Sequence, residues 1–250
     1  MSRVSPLLEV SGLYKRYGAI EALAGVSFQV APGEILGVIG PNGSGKTTLF
    51  NCILGQAAPS AGRVRFRGDD LTGRSPLEVS RRGIGRTFQS LQVFGTLSVR
   101  DNLIAAAQEM AGSMAGRLLA APDAGLGARA DAMIERFRLG PVAGQPAGRL
   151  SYGQQKLVDV AMAFMARPAL VLLDEPAAGI NPVLVEELRG HLQGLSRDEA
   201  ATFVVIEHNM DFVMRLAHRV LVLAEGRVLV DGRPETVRAH PEVMAAYLGA

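Results

Sequence analysis

The spacing of apolar residues along the chain changes character twice. Short β-type runs at Leu7–Val10 and Val26–Val30 lead into a nearly continuous apolar run at Glu34–Ile39. A run of that kind is the pattern of a strand covered on both faces. A Gly-rich turn follows, then a helical stretch from Lys46 to Leu54 that Gly55 stops. Val64 and Phe66 alternate with Arg63, Arg65 and Arg67, which predicts a half-exposed strand before the turn Gly68-Asp69-Asp70. Between about Ser90 and Leu150 the texture becomes Ala, Met, Leu and Arg. Ser98 and Asp101 start a helix through Met110; Met133, Ile134 and Phe137 keep helical spacing in a second, ended by Gly140-Pro141. A Gly/Ala/Pro-rich connection, Ala111 to Gly127, joins them. After Leu150 the pattern alternates: helix Ser151–Ala166, strand Ala169–Leu173, and a helix opened by Asn181-Pro182 with Leu184, Leu188, Leu192 and Leu195 on one side. Then come strand Phe203–Ile206, helix Asp211–Ala217, and a hairpin of Val220–Leu223 with Val228–Val230 across Glu225-Gly226.

Strands alternating with helices predict an α/β fold with a mostly parallel sheet between helical layers, and the middle segment reads as a helical insertion. The length of 250 residues suits one large domain or two intimate ones, and 48% hydrophobic with 20% charged residues supplies a sizeable core. No run approaches the ~20 apolar residues of a membrane span; the most apolar region, Ala161 to Leu173, is cut by Arg167 and Pro168. The opening MSRVSPLLEV lacks an apolar core of secretory length, so a cytoplasmic location is expected. Cys52 is the only cysteine and the four histidines lack paired spacing, which argues against disulfides and structural zinc. A net charge of +2 gives no reason to expect nucleic acid as partner, and the seven arginines against three acids at 63–86 read as a solvated face. Only Lys15, Lys46 and Lys156 are lysines, so the position of each is informative.

One of them completes a motif. Gly40-Pro41-Asn42-Gly43-Ser44-Gly45-Lys46-Thr47, with Thr48 next to it, is a phosphate-binding loop of the form GxxxxGK[ST] between a strand and a helix. Its glycines let backbone N–H groups turn toward phosphate oxygens, and the helix presents its positive end to the same anion. Lys46 suits the β- and γ-phosphates as a compact cation, and the Thr47 hydroxyl suits Mg²⁺. Val171-Leu172-Leu173-Asp174-Glu175 is an apolar strand ending in two carboxylates. A parallel sheet places Asp174 beside the phosphate loop, where it serves Mg²⁺, and Glu175 where it serves as base toward water. Leu150-Ser151-Tyr152-Gly153-Gln154 opens a helix; Ser151 with Gln154 is a capping box, and an open helix start with a hydroxyl and a glycine also suits a phosphate. Since the chain already has a phosphate loop, this second helix start suggests a site completed on another copy.

In this order, the phosphate loop, Gln89 in Arg86-Thr87-Phe88-Gln89, the Leu150–Gln154 signature, Asp174-Glu175, and His208 in Ile206-Glu207-His208 resemble the ATP-binding-cassette ATPases, over about Leu7 to Gly232. The resemblance implies a P-loop NTPase (RecA-like) core with an antiparallel β portion and an inserted α-helical subdomain. It divides the chain into 1–89 and 156–232 as core, 90–155 as helical subdomain, and 233–250 as a helical extension. It implies ATP and Mg²⁺ as cofactors and a head-to-tail ATPase dimer, each ATP lying between one phosphate loop and the other subunit's Ser151, Gly153 and Gln154. It implies that Tyr17 stacks on adenine, with Tyr14 as competitor, that Gln89 meets Mg²⁺ or the attacking water, and that His208 contacts the γ-phosphate. Lys15 and Lys156 fit no such role and read as surface charges.

Two departures from the general family pattern stand out: Tyr152 where glycine is commonest, and Asn181 where many members carry Asp. With the RTFQ form around Gln89 and the C-terminal Pro241-Glu242-Val243…Ala246-Tyr247-Leu248-Gly249, they resemble the branched-chain amino-acid importer subgroup, beside which stand urea/amide importers and a lipopolysaccharide-export ATPase. The implied partners are integral-membrane permease subunits, a second ATPase subunit (the same or a related chain) and, indirectly, a periplasmic substrate-binding protein. The implied location is the inner face of the cell membrane. Leu91, Val93, Phe94 and Leu97 either line a groove for a permease helix or belong to the core. A chromosome or DNA-repair ATPase is the reading of another class. It needs a long coiled coil between the phosphate loop and the signature, where 106 residues separate Gly45 from Ser151 and no sustained heptads occur.

Overall fold

The structure is a computed structural model that describes residues 5–87, 91–109 and 124–248. Two sheets organise it. Strands β1 (Leu8–Tyr17), β2 (Ile20–Val30), β4 (Ala61–Phe66) and β5 (Asp69–Asp70) form an antiparallel sheet in the order β2-β1-β4-β5. The larger sheet runs β10-β9-β3-β8-β7-β6, from β3 (Ile35–Ile39), β6 (Ile84–Arg86), β7 (Leu170–Asp174), β8 (Thr202–Ile206), β9 (Arg219–Ala224) and β10 (Arg227–Gly232). It is parallel except for β10, which closes a hairpin on β9. The α/β class, the mostly parallel sheet and the hairpin across Glu225-Gly226 are as the sequence predicts.

The apolar runs of β3, β7, β8 and β9 are sorted by residue parity, since successive side chains leave a strand on opposite faces. Leu36, Val38, Leu172, Val204 and Leu221 face a core shared with the antiparallel sheet and helix α1 (Lys46–Ile53). Ile35, Ile39, Val171, Val205 and Val220 face a second core. That core is covered by helices α3 (Val99–Glu109), α4 (Ala124–Arg136), α5 (Tyr152–Met165), α6 (Pro182–Glu199) and α7 (Met210–Leu216). Each of these strands therefore lies between two dry layers. Gly37 of β3 admits α7 closely: a Cβ there would sit 2.3 Å from Val213 Cγ1.

Helix α2 (Pro76–Arg81) is absent from the sequence expectation, although its start is written in the chain. Ser75 Oγ accepts from Glu78 N–H, Glu78 Oε2 accepts from Ser75 N–H at 2.9 Å, and Pro76 occupies the first turn. Strands β1 and β2 are much longer than the short runs expected. The outer half of β1 is polar and mostly exposed, that of β2 starts with exposed Ile20 and half-exposed Glu21, and the two strands pair through register shifts that period-2 alternation does not reveal. Helix α4 begins at Ala124, inside the expected Gly/Ala/Pro connection. Helix α5 is continuous across the division expected at residue 155 and packs both on α3 and α4 and on β6 and β7. Met110 and residues 111–123 lie outside the described residues. Beyond β10 come α8 (Pro234–Arg238) and α9 (Pro241–Leu248).

Candidate functional site

The phosphate loop occupies the turn between β3 and α1, at the carboxyl end of a central parallel strand, where an α/β sheet opens its crevice. Gly45 carries the chain into α1 at φ +101, a backbone setting closed to side-chain-bearing residues in practice. Neighbouring chain fixes the loop from outside: Gly226 N–H donates to Ser44 O at 3.1 Å, and Ala24 N–H donates to Gly226 O at 2.8 Å. The Glu225-Gly226 turn thus ties the loop to strand β2. Lys46 is buried, and its Nζ donates to Gly40 O at 2.7 Å and Pro41 O at 2.9 Å, so the loop's own carbonyls hold the ammonium inside the curve. Burial lowers its pKa, opposed by the charges of Glu175 and Asp174. Ser44 Oγ is buried beside it without a hydrogen-bond partner. An orphaned hydroxyl and a caged cation at a helix start fit an anion such as a polyphosphate.

Strand β7 delivers the carboxylates. Asp174 N–H donates to Thr87 Oγ1 at 3.2 Å, which fastens the end of β7 to the residue after β6. The Asp174 carboxyl is pushed up, first by burial and then by Glu175, against Arg86, Lys156 and His208. Glu175 stands in the left-handed region at φ +48, its N–H bonded to Ile206 O at 2.9 Å. Its Oε1 lies 2.6 Å from His208 Nε2, and the histidine ring is about half exposed. Strand β8 has therefore brought His208 against Glu175, from 33 residues further along the chain. The Thr47 hydroxyl and the Asp174 carboxylate are hard oxygen donors of the type a divalent cation takes. Among the described residues no cluster of three His, Cys, Asp or Glu could hold a metal. Gln89, expected beside them, lies outside the described residues.

The signature region is a capped helix start. Ser151 Oγ accepts from Gln154 N–H at 3.3 Å and donates to Gln154 Oε1 at 3.0 Å, and Ser151 N–H donates to the same Oε1 at 3.1 Å. The missing side chain of Gly153 is used by packing: a Cβ would lie 2.4 Å from Leu184 Cδ1 of α6. Tyr152 is exposed and lies over Gly179. Asn181, the other departure, caps α6 by accepting from Leu184 N–H at 3.0 Å. Tyr17 stands opposite Ile20 at the tip of the β1–β2 hairpin, 48% exposed, with Lys15 Nζ 4.7 Å from its ring centroid. Tyr14 is instead laid against Gly25.

One lysine expectation needs correction. Lys156 is fully buried in α5, and its charge opposes the upward push that burial gives the Asp159 and Asp174 carboxyls. Lys15 is half buried and donates to Ala58 O at 2.8 Å. Lys156 is therefore no solvated surface charge, whereas Lys15 makes its contacts at the surface, as expected; residue type alone does not reveal a buried cation near two carboxylates. Of the four apolar residues after Gln89, Phe94 and Leu97 are exposed and Leu91 is half buried, whereas Val93 packs on the core. Close by, α2, β6 and α5 enclose a largely apolar cleft of about 440 Å³ with Leu77, Met162 and Asp159 in its wall.

The Asp159 carboxyl, which accepts from Gln92 N–H at 3.1 Å, is pushed from 3.8 up to about 6 by burial, against that hydrogen bond and Lys156. A carboxyl that binds its proton more tightly when folded costs stability above its folded pKa and nothing below its unfolded one. The difference in stability between Asp159→Asn and wild type should therefore move in the variant's favour by about 2 kcal/mol between pH 4 and pH 7.5. Urea unfolding at the two pH values reads it, and an equal difference at both contradicts it.

Comparison with known proteins follows the same residues. The family described as ABC transporter matches residues 23–178, and that described as branched-chain amino acid ATP-binding cassette transporter matches residues 227–250. The high-affinity branched-chain amino acid transport ATP-binding protein BraF of Pseudomonas aeruginosa is 37% identical, covering 100% of this chain and 99% of its own. An ATP-binding cassette of an ABC transporter, solved in its ADP conformation, superposes with a TM-score of 0.87 at 33% identity, covering 98% of this chain and 100% of its own. A bacterial ABC transporter cassette solved as a dimer gives 0.76 at 25% identity, covering 91% and 98%.

Proposed function

Because the chain belongs to the ATP-binding-cassette transporter family, whose ATP-hydrolysing subunits dimerise and work with membrane permeases, we propose that it powers a branched-chain amino-acid importer. The observation that carries the hydrolytic reading is the meeting of three segments at one sheet edge: the phosphate loop after β3, Asp174-Glu175 at the end of β7, and His208 after β8. The match of residues 227–250 and the full-length likeness to a branched-chain amino acid transport protein support the cargo class.

In this reading ATP lies along the loop with Lys46 and the α1 start against its phosphates and Tyr17 under the adenine. Glu175 takes a proton from the attacking water, and His208 leaves Glu175 to hydrogen-bond the γ-phosphate. Thr47, Gln89 and Asp174 would hold Mg²⁺, which would supply neutralisation of phosphate charge. Ser151, Gly153 and Gln154 of a second subunit, arranged head to tail, close over the nucleotide. Closure and release move the permease between its states. No helix among the described residues is long and apolar enough to cross a membrane, so the chain would sit at the inner face by contact with its permease. The cleft between α2 and α5, beside exposed Phe94 and Leu97, is the surface we assign to a permease helix.

The chain should hydrolyse ATP, with turnover raised several-fold by liposomes carrying its permease and by the cargo-loaded binding protein, and left unchanged by DNA. Stimulation by DNA alone would move the protein to the repair class, which the spacing of Gly45 and Ser151 and the lack of heptads in the sequence between them disfavour.

A further inference from the structure

Glu207, the last residue before His208, has no role in the mechanism above, yet it is buried and all of its acceptors are engaged by backbone. Ala177 N–H donates to Oε1 at 2.7 Å; His208 N–H and Asn209 N–H donate to Oε2 at 3.1 and 3.4 Å. The first donor belongs to the turn that follows Glu175, the other two to the segment that carries His208. The same turn is held by Glu175 N–H to Ile206 O at 2.9 Å and by Ala178 N–H to Glu175 O at 3.2 Å. Glu175 sits at φ +48, a strained conformation for a residue with a side chain, which persists only where the surroundings impose it.

Any other side chain would serve this position less well. A hydroxyl or an amide offers one acceptor oxygen, whereas only a carboxylate accepts at two ends at once. Placing that charge near Glu175 is unfavourable, since burial first and Glu175 in addition push the Glu207 carboxyl up.

We propose that Glu207 is a positioning residue for hydrolysis: it binds the turn that carries Glu175 to the segment that carries His208, and so sets the 2.6 Å contact between Glu175 Oε1 and His208 Nε2. This rests on the hydrolytic reading of those two side chains. Glu207→Gln keeps the shape and one acceptor but, in either orientation of its amide, turns an NH₂ donor toward at least one N–H donor; Glu207→Asp keeps the charge and is one methylene too short to span both loops.

The test is steady-state ATP hydrolysis by the full chain, with equilibrium binding of a fluorescent ATP analogue and a melting curve for each variant. Both substitutions should lower kcat by about 10- to 100-fold while KM and analogue affinity stay within about threefold and the fold survives. A kcat within about twofold of wild type in both variants would overturn the proposal. So would a loss of analogue binding or of the folded state in step with kcat in both, which would make Glu207 a structural residue. A wild-type chain that hydrolyses no ATP in the same assay would instead refute the function proposed above, so the two failures are distinct.

Discussion

A chain carrying Glu175→Gln should bind MgATP with about the wild-type affinity and hydrolyse it roughly 10²- to 10⁴-fold more slowly, the range that removal of a general base covers. The two side chains have the same shape, and an amide at this position can still meet His208 Nε2, so the surrounding packing is expected to survive. What disappears is the group that accepts a proton from water. Phosphate release under single-turnover conditions, compared with retention of nucleotide on a filter, separates the two quantities. Hydrolysis at the wild-type rate would remove Glu175 from the reaction and leave His208 or solvent as the acceptor.

The second large effect is expected at Gly45. At φ +101 a side chain is strained whatever space surrounds it, and here there is none: a Cβ would lie 2.5 Å from Ala22 O and 3.0 Å from Leu23 Cδ2. Since strand β2 is anchored to two sheets' worth of core, the loop rather than the strand must move. Gly45→Ala should therefore displace the N–H groups that face the phosphates and lose about 10²-fold or more in ATP affinity. It should also lower stability by roughly 1–3 kcal/mol from backbone strain. Calorimetric titration with MgATP and thermal unfolding give both. Normal affinity with a lowered melting temperature would show that the loop adapts, and that its glycine serves packing alone.

The contrast between these sites and Glu207 shows what a sequence exposes and what it hides. The phosphate loop and Asp174-Glu175 are local: a strand end plus a few residues of fixed type suffices, and their placement follows once the sheet is parallel. The parity sorting of β3, β7, β8 and β9 is equally legible, since nearly every position in those runs is apolar. The settings of Glu207, Lys156 and Asp159 depend on burial among distant partners. A glutamate before a histidine, or a lysine three residues before an aspartate, has no periodicity or spacing that reveals enclosure. Helix α2 was hidden differently: Ser75, Pro76 and Glu78 state its start, but the arginines around them give the segment the look of a solvated run. For Gly153, chemistry read from the sequence and packing read from the structure ask for the same residue for unlike reasons, one to admit a phosphate and the other to admit Leu184.

The tie between the β9–β10 turn and the phosphate loop has a consequence for how the protein is made. Ser44 O receives its hydrogen bond from Gly226 N–H, a partner 182 residues downstream. Contacts of such separation form late, after the intervening chain has collapsed, because closing a long loop is disfavoured until other contacts support it. A nascent chain on the ribosome can assemble β1 and β2 and present the complete phosphate-loop sequence well before residue 226 has been synthesised. The loop acquires its outer clamp only when nearly the whole domain is present, so unfinished or truncated chains should compete poorly for nucleotide with finished ones.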